Sequence, residues 1–353
     1  MQDSIDEAEF GVTPAGESVS LYTLTHRSGL QARITTFGSA MTQLMTFDRT
    51  GRAGDVLLGY DCLDGYLHGG GYLGALIGRY ANRISGGRFC LNGVQHSIAT
   101  NEGPHALHGG CVGFDRAVWS LTCARVTAEG PYLELHLRSE HGDQGFPGTL
   151  QVSAAYSLGP GQELRVDLTA VTDRTTVVNL TQHPYFNLRG HGNVLDHQLE
   201  IDADYITPVD SSLIPTGELR HVAGTAFDFR TATPIGERLL AGDEQLRIAG
   251  GYDHNWVLNA PAGVLARRAS VYEPESGRVL ELYSTQPGLQ FYSGNHLGAS
   301  YAGRHGWRYQ PHDGFCLEPQ CFPDSLNHPA FPDTRLESGV TWRSTIAYRF
   351  STR

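Results

Sequence analysis

Apolar residues recur at every second position over much of this chain, and that period limits what it can fold into. Leu133, Leu135 and Leu137 alternate with Glu134, His136 and Arg138, and Leu164, Val166 and Leu168 alternate with Arg165, Asp167 and Thr169. Successive side chains of a strand leave opposite faces, so such runs read as half-buried strands. Further strand segments fall at 30–36, 41–47, 117–126, 149–157, 175–181, 197–201, 254–259, 268–273, 279–284, 288–293 and 341–350. Residues 88–99 read as a hairpin, because Asn92-Gly93 suits a type I′ turn. Helical periodicity is nearly absent; the best candidate is a short helix at 235–247, around Glu237-Arg-Leu-Leu240. Many short strands with no helices between them predict an all-β fold, an antiparallel sandwich or barrel with few short helices. The 43 glycines and 17 prolines serve its turns. The sequence has no repeat and no linker, so residues 1–353 are read as a single domain.

The net charge of -11 argues against nucleic acid and anionic membranes as partners, because both require basic surfaces. No lysine is present, which excludes Schiff-base chemistry. The six cysteines (62, 90, 111, 123, 316 and 321) form no C-x-x-C pair, and their spacing matches no zinc pattern. The acidic N-terminus lacks the apolar segment of a secretory signal, and no apolar run approaches membrane-spanning length. A cytoplasmic protein with free thiols is expected; its oligomeric state, monomer or homodimer, is open.

Residues 179–190 carry the strongest chemical signal. His183 stands directly before Pro184, which favours extended backbone, and Tyr185, Phe186 and Asn187 follow. An imidazole that titrates near neutrality, set beside aromatic rings and amides, suits acid/base work on a sugar. Alone, it reads more readily as a hydrogen-bonded His at a strand end. Five further clusters are also ambiguous. Asn82 and Arg83, ahead of Gly86-Gly87, could grip hydroxyls or form a turn and a surface ion pair. His105 and His108 have H-x-x-H spacing without a third ligand, so a hydrogen-bonding His108 is preferred to a metal site; Gly109 and Gly110 would let a ligand approach the backbone. Asp253 could accept from a sugar diol or start an Asx turn, and Gln290 could face a pocket from one side of a strand. Glu318 ends the apolar run Phe315-Cys-Leu317 before Pro319. There, partial desolvation would raise its pKa and strengthen it as a base, unless it points to water.

Taken together these clusters resemble the aldose 1-epimerases (galactose mutarotases). The runs G-R-Y-A-N-R at 78–83, L-H-G-G at 107–110, H-P-Y-F-N-L at 183–188, Y-D-H-N at 252–255, T-Q-P-G-L-Q at 285–290 and C-L-E-P-Q at 316–320 occur in the family's order along essentially the whole chain. Each is weak alone; six in order are specific. Pro184 departs from the pattern, which suggests a small residue such as Ser there. The resemblance implies a galactose mutarotase-like sandwich of large curved sheets with the sugar in an open cleft. It implies Glu318 as catalytic base, His183 as catalytic acid, and Asn82, Arg83, His108, Asp253 and Gln290 around a monosaccharide. It implies no metal and no organic cofactor.

Three rivals set out what the structure should discriminate. A glycoside hydrolase or lyase would pair two carboxylates across the bond, with Asp253 and Glu318 the available pair and His183 unexplained. A sugar-binding module would bind without catalysis. A hexose-6-phosphate epimerase would add a basic cluster for phosphate; Arg267-Arg268 is the only adjacent arginine pair and lies outside the motifs.

Overall fold

The computed structural model describes residues 2–298 and 302–353. Its backbone is three antiparallel sheets with small two-stranded additions. The largest has nine strands, in the order Ser120–Val126, Pro131–Ser139, Leu150–Gly159, Glu163–Thr172, Trp342–Thr352, Arg278–Ser284, Ala266–Tyr272, Gln198–Ile201 and Thr233–Pro234. A five-stranded meander runs from Ser4–Val12 to Ala53–Asp55. The third sheet has six strands, in the order Tyr185–Phe186, Phe315–Gln320, Gly288–Tyr292, Asp253–Leu258, Ala203–Thr207 and Arg220–His221.

The period-two pattern explains the layering. In Leu150–Gly159, every second residue is buried, and Val152, Ala154 and Tyr156 join Leu164, Val166, Leu168, Leu282 and Ile346 in one core. Leu24, Ile34 and Leu44 of the meander and Trp256, Leu289, Phe291 and Leu317 of the six-stranded sheet pack into the same cluster. The nine-stranded sheet thus lies against the other two, as expected of a sandwich. A large aliphatic or aromatic side chain fully buried there stabilises the fold by about 1.5–3 kcal/mol.

The six-stranded sheet uses its two faces differently. Phe315 and Leu317 point into the core, while Cys316, Glu318 and Gln320 alternate onto the other face, and all are buried. On that polar face Asn255, Gln290 and Glu318 are register partners, and Asp253, Tyr292, Cys316 and Tyr185 form the next row. The two rows are one period apart, so seven side chains from four strands share one surface.

The hairpin at 88–99 forms with Asn92 at φ 51° and Gly93 at φ 79°, the two left-handed positions of the expected turn. The helix expected at 235–247 forms only in part. Glu237-Arg-Leu-Leu240 lies in turns, and the helix is Glu244–Ala249, with the Asp243 side chain accepting from the Gln245 N–H and Gly250 ending it at φ 66°. A second short helix, Leu63–His68, carried no clear periodic signal. The expected strand at 175–181 is broken into Thr176–Val177 and Thr181–Gln182, which pair with different partners. Between them, the Asn179 side-chain amide donates to the Ala81 and Cys321 carbonyls and its oxygen accepts from the Cys321 N–H, while its backbone makes an isolated parallel bridge to Tyr80. All six cysteines are free, and no helix among the described residues is long and apolar enough to cross a membrane.

Glu273 ties the segment after His183 to the large sheet. Its fully buried carboxylate accepts from the backbone N–H groups of Ser276 (2.6 Å) and Glu275 (2.9 Å) and from Arg189 Nε (3.3 Å). Burial alone would raise its pKa, but the bonds from Ser276 and Glu275 outweigh it and hold the group at about 2. A depressed folded-state pKa stabilises the fold above the unfolded value, near 4.3, and that stability is lost as pH falls toward 2. Glu273→Gln is therefore expected to cost about 1.5–3 kcal/mol at neutral pH and to flatten the acid limb of stability, measured by urea denaturation from pH 7 to pH 3.

Candidate active site

A cavity of about 360 Å³ opens on the polar face of the six-stranded sheet, lined by Tyr72, Asn82, Arg83, His108, His183, Asp253 and Glu318 among others. Its size suits a small polar molecule. Sheet strands supply one wall and loops the other.

His183 sits between the short strands Thr181–Gln182 and Tyr185–Phe186. Its N–H donates to Ala75 and its carbonyl accepts from Gly74, both at 2.9 Å, so its backbone is fixed from both sides. Its Nε2 lies 3.5 Å from Glu318 Oε2. His108 meets His183 edge to face, with ring centroids 5.3 Å apart, and Tyr72 packs edge-on to His108 at 4.7 Å. Tyr185 stays at the cavity, whereas Phe186 turns into the core against Phe315 and Tyr348. Of the two rings after His183, only one is available to a ligand.

Asn82 and His108 are fastened to each other. The Asn82 N–H donates to His108 Nδ1 (3.1 Å), and the His108 N–H donates to the Asn82 carbonyl (3.1 Å). Because Nδ1 accepts, the neutral imidazole carries its proton on Nε2 and offers a donor. Both residues have left-handed backbone, φ 65° and 52°, which Asn and His tolerate better than most. Gly109 serves packing and not ligand approach: at φ 94°, a Cβ there would meet the Gly78 carbonyl at 2.1 Å. His105 turns elsewhere, accepting from the Gly86 N–H.

The Arg83 guanidinium is held by Glu102 through two bonds, 2.6 and 2.8 Å, and its Nη1 lies 3.6 Å from Asp253 Oδ2. Gln290 donates to Asp253 Oδ1 at 2.7 Å, so it stands behind Asp253 and shapes that wall indirectly. The structure thus gathers Asn82, Arg83, His108, His183, Asp253 and Glu318 at the cavity. Sequence reasoning missed Tyr72 and Glu102. The Gly69-Gly70-Gly71 run marks the loop that carries Tyr72, but nothing local links Glu102 to Arg83.

Burial sets the electrostatics. Glu318 is 2% exposed, and its Oε2 makes no hydrogen bond. Desolvation, reinforced by the negative charge of Asp253 and opposed by Arg83, holds its pKa well above the usual carboxylate range. Desolvation also lowers His183 to about 4, partly offset by a bond to its own backbone carbonyl. It pushes His108 well below its ordinary value, helped by His183 and Arg83. A raised carboxyl and a lowered imidazole in contact form one coupled unit. Over a broad pH range that unit holds one proton, which both shifts favour on Glu318, and transfer across the contact gives the carboxylate–imidazolium form. Such a pair can take a proton from one oxygen and give one to another.

The family model described as aldose 1-epimerase matches residues 20–349. Galactose mutarotase of Bos taurus is 43% identical over 352 residues, covering 99% of each chain. Aldose 1-epimerase of Escherichia coli K12 is 36% identical over 342 residues, covering 96% of this chain and 97% of that one. The crystal structure of galactose 1-epimerase from Lactobacillus acidophilus superposes with a TM-score of 0.89 at 26% identity, covering 99% of both chains. With the ordered motifs, the all-β sandwich and this coverage, the chain belongs to the aldose 1-epimerase family.

Proposed function

We propose that Glu318 and His183 interconvert the α and β anomers of free aldoses such as glucose and galactose, Glu318 as base and His183 as acid. The observation that carries this reading is the buried contact between His183 Nε2 and Glu318 Oε2, 3.5 Å apart on the cavity wall. Glu318 carboxylate removes the hydrogen of the C1 hydroxyl while the His183 imidazolium protonates the ring oxygen. The C1–O5 bond breaks, leaving an aldehyde, a protonated Glu318 and a neutral His183. Rotation about C1–C2 presents the other carbonyl face, and the transfers run in reverse as the ring closes. The pair holds one proton before and after each step. Its carboxylate–imidazolium form opens the ring, and its carboxylic acid–imidazole form closes it. Each placed transfer contributes ~10²–10⁴-fold.

In this reading Asn82, Arg83, His108 and Asp253 hold the remaining hydroxyls, with Gln290 steadying Asp253. Arg83→Lys is expected to raise KM about tenfold, about 1.4 kcal/mol of binding, because lysine cannot bind Glu102 through a planar fork and still face the cavity. A phosphosugar substrate has less support. Arg83 is the only arginine among the described lining residues, and Glu102 already neutralises it. Arg267 pairs with Glu200, and Arg268 is buried against backbone carbonyls. The test is polarimetry on freshly dissolved α-D-glucose and α-D-galactose. Faster approach to the equilibrium rotation is expected; an unchanged spontaneous rate with retained sugar binding would leave a non-catalytic binding protein.

A further inference from the structure

The strand that bears Glu318 makes a second contact with His183. Cys316 and Glu318 are two residues apart on Phe315–Gln320, so both side chains leave the same face. Glu318 Oε2 lies 3.5 Å from His183 Nε2, and Cys316 Sγ lies 3.5 Å from His183 Nδ1. The imidazole is bracketed by a carboxyl at one nitrogen and a thiol at the other. Pairing of Tyr185 with Cys316 in the adjacent strand fixes the register of this bracket. Cys316 is fully buried, so no solvent competes for Nδ1 from that side.

We propose that Cys316 is a positioning residue: its sulfur accepts the Nδ1 proton of His183 and reserves Nε2 as the nitrogen that exchanges a proton with the sugar. Which ring nitrogen exchanges is set by the bond the other one makes. Through the cycle proposed above, on which this inference rests, Nδ1 keeps its hydrogen while Nε2 gains and loses one. A thiol suits that position because it is a weak and uncharged acceptor. A carboxylate there would hold His183 as an imidazolium and resist donation to the ring oxygen.

The other side chains facing the imidazole meet it as rings, and the side chain against Nδ1 is Cys316. His108 and Tyr72 meet the ring from loops, and Tyr185 packs beside it. Asp253 and Arg83 act on Glu318 from farther along the wall. Burial first, then the charges of Glu318 and Asp253, outweigh a hydrogen bond with Tyr185 and keep the thiol protonated, so it remains neutral.

The test reads the tautomer directly. Long-range ¹⁵N–¹H spectra of enzyme with ¹⁵N-labelled histidine, without sugar, are expected to show His183 protonated at Nδ1. Cys316→Ala should shift population toward the Nε2–H form and lower kcat about tenfold, the upper range for one neutral hydrogen bond, with KM unchanged. Cys316→Ser, which restores an acceptor, should recover both the Nδ1–H form and most of kcat. Wild-type His183 protonated at Nε2, or an Ala variant with an unchanged tautomer, would overturn the proposal. The wild-type spectrum alone decides the first point should the Ala variant fail to fold. The spectra hold whether or not His183 is the acid, and His183→Asn kinetics judge that role separately.

Discussion

Glu318→Gln is expected to lower kcat for anomer exchange by about 10³-fold, within the ~10²–10⁴-fold range of one placed proton transfer. The amide preserves the shape of the carboxyl and can still hydrogen-bond, so KM should move less than threefold, about 0.6 kcal/mol. The pH dependence separates lost chemistry from lost structure. In the wild type the one-proton pair is required. Activity should fall below about pH 4, where His183 takes up a second proton. It should fall again above the raised pKa of Glu318, where the shared proton is lost. In the variant only the imidazolium remains useful, so residual activity above the spontaneous background should rise toward acid, losing the acid limb, and fall off as pH rises past the His183 pKa of about 4. Stopped-flow polarimetry from about pH 3 to pH 9 measures this, and a variant with wild-type kcat would remove Glu318 from the mechanism.

His183→Asn is expected to cost a similar ~10²–10⁴-fold in kcat, and the double variant little more than either single one. Groups that act as one unit lose their effect together. Here the proposed unit is the His183–Glu318 pair, whose Nε2 and Oε2 lie 3.5 Å apart. Additive losses would mean that the two residues act in separate steps. An unchanged kcat in His183→Asn would pass the role of acid to another donor, with His108 Nε2, whose ring meets His183, the first candidate.

Much of the fold was legible because its period is written locally. The alternation in 149–157 predicted Leu150–Gly159 with its buried face, and Asn92-Gly93 predicted a hairpin that forms. The prediction failed where a pattern was interrupted by residues whose backbone effect outweighs it. Glu237-Arg-Leu-Leu240 looks amphipathic, yet the helix begins only past Gly242, which adopts φ 74°. The groups now proposed for the site were legible as residue types in context: Glu318 closing an apolar run, His183 before a proline, Asp253 entering a strand. Their partnerships were not. Glu102 on Arg83, the Asn82 N–H on His108 Nδ1 and Cys316 on His183 Nδ1 depend on strand register and loop closure, which no local window contains. The same limit explains Gly109, whose role is set by the distant Gly78 carbonyl.

The division of the cavity wall bears on how such a site can change over generations. Cys316 and Glu318 lie on a sheet strand, with His183 pinned beside it by backbone bonds. Asn82, His108 and Tyr72 come from loops joined by a few local bonds. Loops accept insertion and substitution more readily than paired strands. On the roles proposed above, a lineage can therefore revise which hydroxyls it reads, sugar by sugar, without reinventing the apparatus that moves the proton. Laboratory diversification aimed at new sugars would do well to randomise those loops and leave the strand untouched.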